Sequence, residues 1–240
     1  MNVNASEFFL KMDGTLQDMW ADAKSENRFL NAILNEEIDR KLYALYLIET
    51  FHYTAHNTKN QALVVKNIHP STVKNIQYMK FCLHHAEEEC GHELMALHDL
   101  NTLREDKAGV EDMPSALPAT ELLINKLYTL SDDSNSLARL GYSYWAEGSY
   151  KYFQDVLGKL VEKLDLKKGS LTFLVEHSDI DEGHFEEVKE IIEKTATSDD
   201  FADIERGMVD SLKWTFDMLE AVYDLHQNTS SHPDLVKQVH

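Results

Sequence analysis

Glycine and proline are rare in this sequence, nine and four in 240 residues, so little interrupts long periodic segments. Only two cysteines occur, Cys82 and Cys90. Eight positions apart on one helix they are separated by about 12 Å of rise, too far for a disulfide. That spacing, with no paired-thiolate motif, excludes a disulfide scaffold, a structural zinc site and an iron–sulfur cluster. Positive charge is also scarce. Lys plus Arg number 23 against 42 Asp plus Glu, a formal charge of −19, and no basic stripe offsets it. Nucleic acid and anionic membrane surfaces are therefore not expected partners. No run approaches the ~20 apolar residues of a membrane helix, and "MNVNASEFFLKMDG" lacks the basic and apolar regions of a secretory signal. A reduced, cytoplasmic protein is the expectation.

Hydrophobic residues make up 43% of the chain, enough for one domain with a full core. Apolar periodicity predicts seven helices, at 5–24, 28–58, 70–104, 117–130, 135–164, 169–195 and 199–228. Pro70 in "NIHPST" falls near a helix start, "DKAGVEDMPSALP" and "DLKKGS" are connections, and "TSDD" supplies caps before Phe201. Strand-like alternation, internal repeats and low-complexity tracts are missing. The expectation is an all-α bundle forming a single domain over residues 1–228, followed by a loosely held tail at 229–240.

In "HSDIDEGH", His177, Asp181 and His184 stand at i, i+4 and i+7. At about 100° per residue they share one stripe of roughly 60°. Phe173, Leu174, Ile180, Val188, Ile191 and Ile192 fall on that same face, while the acidic residues take the others. The stripe should therefore point inward. Burying a carboxylate and two imidazoles costs several kcal/mol unless they pair with one another or bind a cation. Both a hydrogen-bonded Asp–His network and a ligand cluster satisfy this.

A second group, "HHAEEECGHE", offers His85, Glu88 and His92 on one face of a helix that is apolar behind. Periodicity does not choose among Glu87, Glu88 and Glu89, since Glu88 has the i, i+4 relation to His92 and Glu89 the i, i+3 relation. Glu147 in "YSYWAEGSY" is a lone glutamate among aromatics. Glu49, His52 and His56 form a fourth polar face, better suited to hydrogen bonding or a pocket than to ligation. Three histidines and three carboxylates (Glu88, His92, Glu147, His177, Asp181 and His184) make up the mixture that a two-metal carboxylate site in a helical bundle uses.

These motifs carry a resemblance. "VEHSDIDEGHFEE" resembles the His-x3-Asp-x2-His helix of the heme-oxygenase-like diiron oxidases and oxygenases, most of all the CADD-like subgroup. "EECGHELMALHDL" resembles their Glu-Glu-x-Gly…His helix, and "YWAEGSY" the helix that donates one glutamate. The three come in family order over roughly residues 40 to 195. One departure is that "EECGH" is compact where CADD-like chains carry a short insertion. The resemblance implies a seven-helix bundle like that of TenA, PqqC and heme oxygenase. It implies two Fe ions, held as Fe(II)2 by Glu88, His92, Glu147, His177, Asp181 and His184, with His85 orienting a ligand. Manganese accepts the same set.

The chemistry implied is O2-dependent oxidation of a small substrate, by N-oxygenation or C–C cleavage, with an external reductant and, as in other members, a homodimer. The polar and aromatic company of Glu49, His52, Tyr53, His85 and Tyr144 favours an amine or amino acid over an alkyl chain. A TenA-type thiaminase needs a cysteine on the helix of Glu147, which has none. A heme oxygenase is the alternative activity within the fold, although it needs close glycine approach to the haem where this chain has Tyr150, Lys151 and Tyr152. A non-catalytic metal-binding interaction protein of the same fold is the alternative from another class.

Overall fold

The computed structural model describes residues 3–104, 109–166 and 168–228, with the side chains at 3, 4, 168 and 176–182 left aside. Among these residues the chain is helical with no strand. It forms eleven α-helices: α1 (Val3–Glu26), α2 (Arg28–Leu34), α3 (Arg40–Thr54), α4 (Asn57–Asn67), α5 (Val73–Glu88), α6 (His92–Arg104), α7 (Pro118–Ser131), α8 (Arg139–Gly148), α9 (Tyr150–Leu164), α10 (Thr172–Thr195) and α11 (Phe201–Asn228). The buried apolar side chains form one contiguous core. No helix among the described residues is long and apolar enough to cross a membrane. The expected tail at 229–240 lies outside the described residues.

The all-α expectation holds, but the count of seven helices is corrected, because three of the expected helices are broken and α4 is added. The 28–58 segment breaks at 35–39. There Glu36 takes a left-handed conformation at φ 58°. The N–H groups of Glu36 and Glu37 return to Ile33 O (3.0 Å) and Ala32 O (2.7 Å), a Schellman closure that ordinarily takes glycine. Asp39 Oδ1 then caps α3 by accepting from Leu42 N at 2.7 Å. The 70–104 segment breaks at 89–91, where Gly91 has φ 101°, a conformation that costs a residue with a Cβ. The 135–164 segment breaks at Ser149. Residues 59–67, expected as a connection, continue α4. Its apolar content is low, but Asn60, Gln61 and Val64 are buried. Hydrogen bonds of Asn57 to Glu89 and Tyr142 and of Asn60 to Arg139, not apolar periodicity, mark its inner face.

Packing places α8 at the centre, with α11 on one side and α10 on the other; α3 lies on α6 and α11, and α5 on α4 and α10. The α8–α11 crossing is tight because glycines meet backbone. A Cβ on Gly141 would lie 2.0 Å from Ile204 O and 2.3 Å from Met208 N, and one on Gly207 would lie 2.1 Å from Ala138 O. Backbone atoms cannot yield as a flexible side chain can, so a methyl group at either position forces the helices apart. Trp145 Nε1 also donates to Ser211 Oγ across this crossing at 2.8 Å. Gly141→Ala is expected to cost about 3 kcal/mol, read as a lower urea midpoint with the slope unchanged, whereas Gly158→Ala, with open space around its Cβ position, should leave the midpoint the same or raise it.

Candidate metal centre

Three helices bring their polar residues to one point beside α8. Glu147 occupies the last full turn of α8 and is 6% exposed. Its Oε1 lies 3.0 Å from His85 Nε2 of α5, and its Oε2 lies 3.5 Å from His184 Nδ1 of α10. One ligand-capable atom from each of His85, Glu147 and His184 falls within 4.8 Å of the others. His184 Nε2 reaches Glu88 Oε2 at 3.6 Å. Glu89, in the break between α5 and α6, puts Oε1 3.3 Å from His92 Nδ1 and accepts from Asn57 Nδ2 on Oε2 at 3.1 Å. Asn57 in turn accepts from the Tyr142 hydroxyl at 3.2 Å.

The helix break changes the geometry on which the choice among the three glutamates rests. With α5 ending at Glu88 and α6 beginning at His92, helical register does not carry from Glu88 to His92. Glu88 instead turns to His184, Glu89 turns to His92, and Glu87 is exposed. The structure also moves His85 to the middle of the cluster, hydrogen-bonded to Glu147 and flanked by the Phe81 ring in a stacked arrangement. A continuous 70–104 helix masks this placement. The break is signalled only by Gly91. His177 and Asp181 belong to α10, the helix of His184, but their side chains lie outside the described residues. On the described part of that helix the apolar stripe is buried as expected, at Phe173, Leu174, Val188, Ile191 and Ile192.

Electrostatics hold the cluster together. Burial alone would raise the pKa of Glu147, but contact with His184 and His85 outweighs it and holds the carboxyl well below the usual carboxylate range. The same contact raises His184, against the opposing effect of burial, to about 9. Glu89 is likewise lowered, the His92 contact overcoming its burial, and His92 is raised by Glu89. Within the cluster, the buried atoms His85 Nδ1 and Glu88 Oε2 have no hydrogen-bond partner among the described residues. Imidazole nitrogens and carboxylate oxygens converging from three helices, with buried lone pairs unspent, fit a hard or borderline cation such as iron or manganese.

Asp99 seats the helix that carries His184. Buried on α6, it accepts from Thr172 N (2.9 Å), Thr172 Oγ1 (2.6 Å) and Phe173 N (2.9 Å), satisfying the open N–H groups at the start of α10 from outside. The fourth polar face serves elsewhere. Glu49 accepts from Leu117 N at 3.0 Å, His52 meets Pro114 O at 2.6 Å, and His56 meets the Tyr128 hydroxyl at 2.9 Å. The first two contacts fasten the start of α7 and the segment before it, and the third holds its C-terminal end. Tyr144 donates to Asp13 at 2.7 Å.

A cavity of about 160 Å³ adjoins the cluster, reaching His85, Glu89 and Glu147. Its walls are largely aromatic: Trp20, Phe29, Tyr46, Tyr53, Trp145 and Phe153. Enclosed apolar walls around a few convergent polar groups are the usual form of a small-molecule site.

Comparison with known proteins agrees with this geometry. Residues 44–214 match the family model described as iron-containing redox enzyme. A domain of unknown function with a heme oxygenase-like fold from Shewanella denitrificans OS217 superposes with a TM-score of 0.87 at 38% identity, over 93% of this chain and 95% of that one. A TenA homolog from Pseudomonas syringae pv. tomato DC3000 gives 0.69 at 15% identity, over 89% and 93%. A CADD-like protein of unknown function from Nostoc punctiforme PCC 73102 gives 0.65 at 13%, over 89% and 97%. The latter two share the fold. No curated protein sequence matches significantly.

Two outcomes test the site. Asp99→Ala should cost about 2 kcal/mol of stability and weaken iron uptake, whereas Asp99→Asn, which keeps one acceptor, should fall between, as read by thermal unfolding and metal titration. The second concerns pH. Because His184 is raised from 6.5 to about 9, its contact with Glu147 stabilises the metal-free protein fully below pH 6.5, and that contribution is lost as pH climbs through 9. The melting-temperature advantage of wild type over His184→Gln should shrink across that window, while iron affinity, which needs neutral imidazole, should rise. With its motifs, its fold and the family match in agreement, the chain belongs to the iron-containing redox enzyme family.

Proposed function

We propose that this protein is a non-heme diiron oxidase or oxygenase acting on a small amine or amino acid. The observation that carries the proposal is the convergence of His85, Glu147 and His184 from α5, α8 and α10 within 4.8 Å, at the edge of an aromatic-lined cavity. Glu147, with a histidine beside each of its oxygens, would be the central carboxylate of the residues that hold the metal. Glu88 and His184 adjoin on one contact, and the Glu89–His92 pair is coupled electrostatically to Glu147. His177 and Asp181 on the same helix as His184 complete the proposed set, and manganese is the alternative ion. Bound iron would supply O2 activation and the electrons that reach it from an external reductant.

The chain's own residues do the rest. The imidazoles fix Glu147 through both of its oxygens, so the carboxylate arrives already oriented. Phe81, stacked on His85, holds that ring in place. The aromatic walls exclude water from the reacting end and orient the substrate against it.

Anaerobic loading with Fe(II) followed by elemental analysis should find about two irons per chain. Glu147→Ala, His184→Ala and His85→Ala should each lose iron, and the reduced loaded protein should consume O2 faster than any of them. Iron at background in the wild type, with variants that lose only stability, would mean that the cluster is a buried hydrogen-bond network and that the enzyme proposal fails.

A further inference from the structure

The cavity has a second polar end, formed by a buried arginine. Arg139 opens α8, is 2% exposed and lines the same cavity as Glu147. Its Nε and Nη2 both donate to Asn60 Oδ1, at 3.0 and 2.8 Å, and its Nη1 donates to Ser143 Oγ at 2.9 Å. The Tyr142 ring lies 4.2 Å from Cζ. A guanidinium carries five N–H donors, and the three engaged here meet only an amide and a hydroxyl. Among the described residues no carboxylate forms an ion pair with it. Its nearest acidic influence is Glu89, acting through space from the cavity wall.

Taking a guanidinium out of water without a counter-charge costs several kcal/mol. A purely structural tie between α8 and Asn60 would need only a neutral donor such as glutamine. A second unspent group lies on the same wall. Gln61, also 2% exposed, has an Oε1 with no hydrogen-bond partner. A buried cation on the wall of an aromatic cavity, with two of its five N–H donors unengaged among the described residues, matches a carboxylate better than a neutral group.

We propose that the cavity takes a small carboxylic acid whose carboxylate seats on Arg139 and whose apolar or aromatic body lies along the tryptophan-lined wall toward Glu147. The spacing sets the length. Arg139 bonds Ser143, and Ser143 precedes Glu147 by four residues on α8, about 6 Å along the helix. The group presented to the metal centre therefore lies roughly four to five bonds from the carboxylate. Gln61 gives an amino group near the carboxylate an acceptor. This substrate class rests on the oxidase proposal for its chemistry, but the anchor itself is independent of iron.

The test is a fluorescence titration of the full-length protein, since Trp20 and Trp145 both line the cavity. The probes are two matched pairs, 3-phenylpropanoate with 3-phenylpropanamide and hexanoate with hexanamide, run on iron-free protein and on protein loaded anaerobically with Fe(II). In both forms at least one carboxylate should bind about tenfold tighter than its amide, ~1.4 kcal/mol. Arg139→Gln should abolish the preference and Arg139→Lys should keep part of it, with iron content unchanged in both. Should either variant fail to fold, the carboxylate–amide comparison on wild type still decides. Equal affinities, no saturable binding at millimolar concentrations, or a preference seen only with iron present (carboxylate on the metal) would each overturn the anchor. A wild type that binds no iron yet prefers carboxylates would instead refute the oxidase proposal and leave Arg139 standing.

Discussion

The burial of one carboxylate between two imidazoles is the constraint on which the rest of this structure depends. Glu147 is buried in the last turn of α8 with His85 on one oxygen and His184 on the other. An unaccompanied carboxylate there would cost several kcal/mol or take up a proton. Keeping it charged requires α5, α8 and α10 to meet at a fixed separation, and several features elsewhere in the fold serve that end. The glycine contacts at 141 and 207 let α11 press against the back of α8. Asp99 caps α10 from α6 and so sets where His184 arrives. The breaks at 89–91 and 149 fall within a few residues of the clustered side chains, where a straight helix would carry them past the site.

Much of this was legible in the sequence because burial leaves a pattern. Histidines and an aspartate in the middle of an apolar stripe could only point inward, and His184 does. The acidic and aromatic context of Glu147 marked it less clearly, since one glutamate has no periodicity of its own. What the sequence hid follows from two physical facts. Helix closure at Glu36 uses a residue at positive φ that is not glycine, so nothing in "LNEEID" announces it. Register arguments also assume a continuous helix: across Gly91 the angle between Glu88 and His92 is no longer about 100° per residue, and the pairs exchange to Glu88–His184 and Glu89–His92. Arg139 was invisible for a related reason. One arginine in a helix is ordinarily a solvated residue, and only the packed structure shows it walled in by Asn60, Ser143 and Tyr142.

The two polar ends of the cavity stand on one helix, two turns apart, with aromatic rings between them. This arrangement couples recognition to chemistry through a rigid element: whatever is held at one end of α8 is presented at the other with little freedom to slide. The net charge of −19 is consistent with the proposed reading, in which an internal charge and not the exterior field would select a small molecule. Family membership brings iron and redox chemistry; in the proposed reading the interior charges of this chain would supply the discrimination.

The most direct test of the account is a crystal structure of the Fe(II)-loaded protein with anomalous data at the iron edge. The account predicts iron peaks bounded by α5, α8 and α10, with Glu147 in contact with the metal and His184 Nδ1 or Nε2 turned onto it. Iron found only at the group of exposed His84 and Glu187 with half-buried Glu88, with the His85–Glu147–His184 contacts unchanged, would contradict it.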